Sequence, residues 1–199
     1  MKQLITKICL LLTVAALLAV AGCAKSPPPT FYQLEELAGA QLAGVEHGVA
    51  IGVGPLAVAA YLDRPQIVTR AAVHQLKLSE ANMWAEPLKE SILRVIAVNL
   101  SNLLDTNRVY RIPRRDRDIP LSFRVAVGIA RFDGALGGDV HLTARWTLYR
   151  QEDKPLLTKV TIVAEPAGGP GYDNLIAAQN RALKALSGEI AKAVKANTK

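Results

Sequence analysis

Cysteine is nearly absent from this 199-residue chain: there are two, Cys9 and Cys23, both among the first 23 residues. The remainder therefore has no disulfide framework and no thiolate metal site, and must hold together by packing. Aromatic residues make up only 5% of the chain, and the three histidines, His47, His74 and His141, stand with no ligand spacing. No metal or cofactor is expected. No serine sits in a Gly-x-Ser-x-Gly elbow. The acidic pairs Glu35-Glu36 and Glu152-Asp153 are adjacent, so strand or turn geometry would separate them. With no catalytic constellation in view, the expectation is a protein that is not an enzyme. Long apolar runs are also scarce. The main one, Ile8 to Ala21, has 14 residues, short of the roughly 20 that span a bilayer as a helix. A polytopic permease is excluded.

That run follows Lys2 and Lys7 and ends in small residues before Cys23, the layout of a secretory signal over residues 1–22. Its loss removes two lysines and lowers the formal charge from +7 to +5. Val20-Ala21-Gly22-Cys23 resembles the lipobox of bacterial lipoproteins, with valine where leucine is commonest. The resemblance implies diacylglyceryl attachment to the Cys23 sulfur, cleavage before it and acylation of the new amino terminus. Two lipid signals already anchor a protein stably, and three chains would make the anchor effectively permanent. Ala24, rather than aspartate, follows the cysteine. By resemblance to the enterobacterial sorting pattern this favours the outer membrane. Residues 23–30 then form a proline-stiffened tether through Pro27-Pro28-Pro29, reaching roughly 20 Å.

Residues 31–199 are expected to form one periplasmic domain. Phe31 to Leu34 reads as a short strand, and Val49 to Val58 as a buried strand ending in a bend at Gly52, Gly54 and Pro55. Gln66 to Arg70 and His74 to Leu78 read as two further strands. Pro87 opens a helix to about Leu104, with Leu88, Ile92, Val95, Ile96, Leu100 and Leu103 on its core face; Asp105-Thr106-Asn107 ends it. In the second half, Phe123, Val125, Val127 and Ile129 alternate with polar or small residues, as do Val140, Leu142, Ala144, Trp146 and Leu148. With Leu157 to Ala164 they make an antiparallel meander. A helix over Asn174 to about Ala196 places Leu175, Ile176, Leu183, Leu186, Ile190 and Val194 on one stripe. The order predicts an α+β fold with a mainly antiparallel sheet and two long amphipathic helices packed on one face.

Gly52-Val53-Gly54 lacks the third glycine and the following helix of a dinucleotide fingerprint, so it reads as a bend. Ala167 to Gly171 lacks the lysine and hydroxyl pair of a phosphate loop and reads as a connection to a helix capped by Asp173. Arg108, Arg111, Arg114, Arg115 and Arg117, set among Asp105, Asp116 and Asp118, form the densest charge. In an exported protein such a segment meets lipid headgroups, an acidic protein surface or only solvent, and no nucleic acid.

Two blocks are more specific: Tyr61-Leu62-Asp63-Arg64-Pro65-Gln66-Ile67-Val68 and Trp84-Ala85-Glu86-Pro87-Leu88. Composition alone would read them as turns with Trp84 as a core anchor. With the lipobox, an early Tyr32-Gln33-Leu34 and the long C-terminal helix, they resemble the ABC-type transport auxiliary lipoprotein family, whose familiar members are outer-membrane lipoproteins of paraquat-inducible MCE systems. The resemblance implies a non-enzymatic envelope component working with a permease, an ATPase and a periplasmic MCE-domain protein in intermembrane lipid transport. It also admits a homo-oligomer. Tyr61, Asp63, Arg64 and Gln66 are the candidate partner contacts, and Cys23 fixes the domain under the outer membrane. The competing expectation is an autonomous lipoprotein enclosing an acyl chain between sheet and helices, which predicts lipid co-purifying with the untethered domain.

Overall fold

The computed structural model describes Gln3 and residues 28–37, 47–112, 120–150 and 154–198. Cys23, Arg114, Arg115, Asp116, Arg117, Asp118, Glu152 and Asp153 lie outside the described residues. In chain order the elements are β1 (Thr30–Tyr32), β2 (Ile51–Val58), β3 (Gln66–Ala72), β4 (Gln75–Trp84), α1 (Leu88–Leu104) and β5 (Val109–Arg111), followed by β6 (Phe123–Gly134), β7 (Asp139–Arg150), β8 (Lys154–Pro166) and α2 (Tyr172–Asn197).

The fold is α+β, and its strands divide between two sheets. One has the order β1-β4-β3 and the other β5-β2-β6-β7-β8. The meander β6-β7-β8 and the hairpin β3-β4 are antiparallel. β2 runs parallel to both β5 and β6, and β1 runs parallel to β4. The sequence pattern does not indicate β5. Three residues carry no readable alternation, and only the parallel ladder to β2 makes them a strand.

Both helices cover one face of the larger sheet. Ile92, Ile96 and Leu100 of α1 and Leu183, Leu186 and Ile190 of α2 are buried there, with Val125, Leu142, Trp146 and Leu148 beneath them. Leu103, assigned to the same stripe, is only partly buried. Ala178 and Ala182 lie fully buried on α2, leaving room for close approach. Asn99 of α1 donates to Ser187 Oγ of α2 at 3.3 Å, joining the helices inside the core. α1 ends where Asp105 turns left-handed at φ 50°, its N–H donating to the Ser101 carbonyl. Gly171, rather than Asp173, precedes the first turn of α2; no side chain caps that end, and Asp173 lies within the turn as an acid facing the helix dipole.

Two irregularities redirect the strands. Between Val53 and Leu56, β2 carries one residue more than its partner β6. Gly54 there has φ 132°, and a Cβ on it would lie 1.9 Å from the Ile112 carbonyl oxygen, so only glycine fits. The expected bend is thus a bulge within the strand, which continues to Val58. A second bulge follows Ile129 in β6 and shifts the alternation, so that Phe132 takes the core face opposite Leu142.

Next to it, Asp133 is fully buried. It accepts hydrogen bonds from Tyr61 Oη at 2.5 Å, from Arg70 Nε at 2.7 Å and Nη2 at 3.1 Å, and from Arg131 Nε at 3.3 Å. These bonds tie β3 of the smaller sheet to β6 of the larger. Burial alone would raise the Asp133 carboxyl, but the bonds from Arg70 and Tyr61 outweigh it and hold the group below its ordinary value. A depressed carboxyl contributes stability that is present above its unfolded pKa of about 4 and lost as pH falls through the folded value. Asp133→Asn is expected to cost about 3 kcal/mol at neutral pH. Urea midpoints followed into the acid range should fall less steeply in this variant than in the native chain.

Candidate functional site

The two specific blocks meet in space. The first forms the connection from β2 to β3, turned by hydrogen bonds from Leu62 N to Ala59 O at 2.8 Å and from Arg64 N to Leu62 O at 2.9 Å. Buried Leu62 anchors this turn, leaving Asp63 and Pro65 exposed. The second block runs from the end of β4 into α1. Trp84 N donates to Pro65 O at 2.7 Å, and Ala85 N donates to Tyr32 O at 2.8 Å. The Tyr32 segment noted in the sequence therefore closes the same site from the other side of β4.

Between the blocks lies an open cleft of about 330 Å³. Asp63, Arg64 and Pro65 line one wall; Trp84, Ala85, Glu86 and Pro87 line the other, and Leu88 completes it. Trp84 is buried. Arg64 Nε is buried and has no hydrogen-bond partner among the described residues. The cleft combines an apolar lining with a guanidinium and with carboxylates at Asp63 and Glu86. Such a lining can receive an apolar anchor and pair a neighbouring charge. Among the described residues, no group of three or more His, Cys, Asp and Glu side chains comes together as metal ligands would.

The four candidate contacts have different places. Asp63 and Arg64 line the cleft. Tyr61 points away from it, its hydroxyl bound to Asp133; burial, then that carboxylate, pushes the phenol up to about 12. Gln66 begins β3 in register with Met83. Sequence reasoning missed Arg94 on α1, whose Nη1 is bonded to Glu36. Its Nη2 donates to Glu86 Oε1 at 2.7 Å and to the Leu34 carbonyl at 3.0 Å. Glu86 also accepts from Gln33 Nε2 at 3.3 Å. One arginine thus fastens the chain after β1 to the cleft's acidic wall. The signal available in the sequence was only a cation on a helix, four residues after Glu90.

Arg94→Ala is expected to free residues 33–36 while leaving the β6–β7 ladder intact. Amide hydrogen exchange should accelerate at Glu35 and Glu36 and stay unchanged at Val125 and Val127. Equal acceleration at both places would show a global loss of stability rather than release of this segment.

The family model described as an ABC-type transport auxiliary lipoprotein component matches residues 32–191. Among solved structures, the chain resembles the crystal structure of an uncharacterized protein, at 20% identity and a TM-score of 0.69, covering 84% of this chain and 99% of that one. It also resembles protein XCC0632 from Xanthomonas campestris, of the family model DUF330, at 18% identity and a TM-score of 0.65, covering 81% and 92%. These likenesses bear on the fold. No curated protein gives a match. By the extent of the family match, which takes in both blocks, the cleft they form, α1 and most of α2, the chain belongs to the ABC-type transport auxiliary lipoprotein component family.

Proposed function

We propose that this protein is a non-catalytic lipoprotein that docks the periplasmic MCE-domain component of an ABC transport system at the outer membrane, in a system that moves lipid between membranes. Cys23 carries the acyl chains, and residues 31–199 act as one domain on the periplasmic side. The observation that carries the reading is the convergence of the Tyr61–Val68 and Trp84–Leu88 blocks on one cleft. Asp63 and Arg64 are its contact residues, while Tyr61 and Gln66 hold the segment in place. The Arg64 guanidinium lining the cleft favours a partner bearing a carboxylate or backbone carbonyl beside an apolar anchor. An acyl chain between sheet and helices would have to displace Trp146, Leu148 and Leu186, which fill that space. Self-association through other faces is compatible with docking.

Crosslinking the lipidated protein in its native envelope should recover an MCE-domain protein. Asp63→Ala combined with Arg64→Ala should cut that recovery roughly thirtyfold, since truncating an interface anchor costs about 2 kcal/mol. Cys23→Ser should carry no acyl mass and should move to the soluble fraction. Recovery of only the protein itself and lipid, with the transporter expressed, would sink the docking reading and favour an autonomous lipoprotein.

A further inference from the structure

The hairpin of β3 and β4 stands out from the body. At its base Arg70 is bonded to Asp133 and Trp84 is buried, but every residue from Ala71 to Leu78 is exposed. This end is not polar. Val73 at the turn is 77% exposed, and Leu76 and Leu78 behind it are 36% and 40% exposed. Nor does it carry acid: from Arg64 to Ser79 there is no aspartate or glutamate, while Arg70, His74 and Lys77 lie in or beside the exposed stretch. An exposed ribbon end that is apolar and free of negative charge is an aggregation hazard unless something covers it.

Chain direction says what that is. β1 runs parallel to β4 with Thr30 level with Asn82, so the chain enters β1 from the side on which the hairpin tip lies. Gln66 is level with Met83, and the seven residues from there to Val73 advance about 23 Å along β3. The seven residues from Cys23 to Thr30, with three prolines, reach roughly 20 Å. The two lengths agree. We infer that the β3–β4 tip, through Val73, Leu76 and Leu78 with Lys77, rests in the headgroup layer of the membrane that holds the Cys23 acyl chains. The inference depends on the reading of Cys23 as a lipid anchor.

An acylated cysteine fixes one point and leaves the domain free to swing about it. A second contact orients the domain. Its apolar side chains enter the interface and Lys77 meets anionic headgroups, the combination that holds amphipathic segments at membrane surfaces. The cleft at the base of the same hairpin is then held at a set height and angle toward the periplasm. Val160 and Ile162, also exposed and apolar, lie on β8 at the far edge of the larger sheet.

The test uses the full-length lipidated protein in vesicles of phosphatidylethanolamine and phosphatidylglycerol. Spin labels are placed on Val73→Cys, on Leu76→Cys and, as control, on Ile162→Cys, which is 73% exposed. With Cys23 acylated, the introduced thiol is the one that reacts. Labels at 73 and 76 should be several-fold less accessible to a water-soluble nickel chelate than the label at 162, and more accessible to oxygen. Equal nickel accessibility at all three positions overturns the inference. Mass spectrometry of the same sample separates the causes. An acylated Cys23 with a wet tip refutes the tip contact alone, and an unacylated Cys23 refutes the anchor and the tip contact together.

Discussion

Asp133 is a carboxylate with no access to water, and such a group persists only where donors replace its hydration. Here the shortest donor bonds come from outside its own sheet. Arg70 reaches it from β3 and Tyr61 from the turn before β3, so a single buried charge dictates where the smaller sheet sits on the larger. The bulge after Ile129 is part of the same arrangement. By inserting one residue it sends Phe132 to the core and leaves Asp133 beside the incoming arginine. The cleft depends on this contact at one remove. With Tyr61 and Arg70 fixed, the intervening Asp63, Arg64 and Pro65 have little freedom, and Pro65 meets Trp84 across the opening.

The rest of the molecule serves as a rigid backing. Two amphipathic helices packed on one face of a five-stranded sheet bury a contiguous apolar layer, which supplies the stability that disulfides would supply in a smaller exported domain. α1 has a second task. It carries Arg94, which binds the chain after β1 and the acidic wall of the cleft together. The chain that enters and leaves β1 is therefore coupled mechanically to the cleft. In the docking role we propose, that coupling would keep the cleft from presenting itself in every orientation.

Parts of this were legible from residue order. The alternation in Phe123–Ile129 and Val140–Leu148 gave the meander, and the helical stripes at Leu88–Leu100 and Leu175–Val194 were read with nearly the right ends. The two blocks stand out in the sequence, but their meeting in one cleft does not. The alternation did not announce Asp133, because it holds only up to the bulge and the acid lies beyond it. Tyr61 was grouped with Asp63 and Arg64 as one contact set, although its hydroxyl belongs to the interior. A tyrosine at a turn looks the same in sequence whether its ring faces a partner or a buried carboxylate three score and more residues away.

By itself the sequence determined what depends on neighbours along the chain. The helices follow from a 3.6-residue period, the strands from a two-residue period, the terminator at Asp105 from its tolerance of a left-handed turn, and the lipobox from four adjacent residues. Only the tertiary structure decided the division into two sheets, the parallel pairing of β2 with β5 and β6, the inward turn of Tyr61, and the direction from which the tether enters β1. The physical reason is the same in each case. These features are set by hydrogen bonds and charges between residues far apart in the chain, and a local period carries no record of which distant donor will reach a buried carboxylate or which strand will lie alongside.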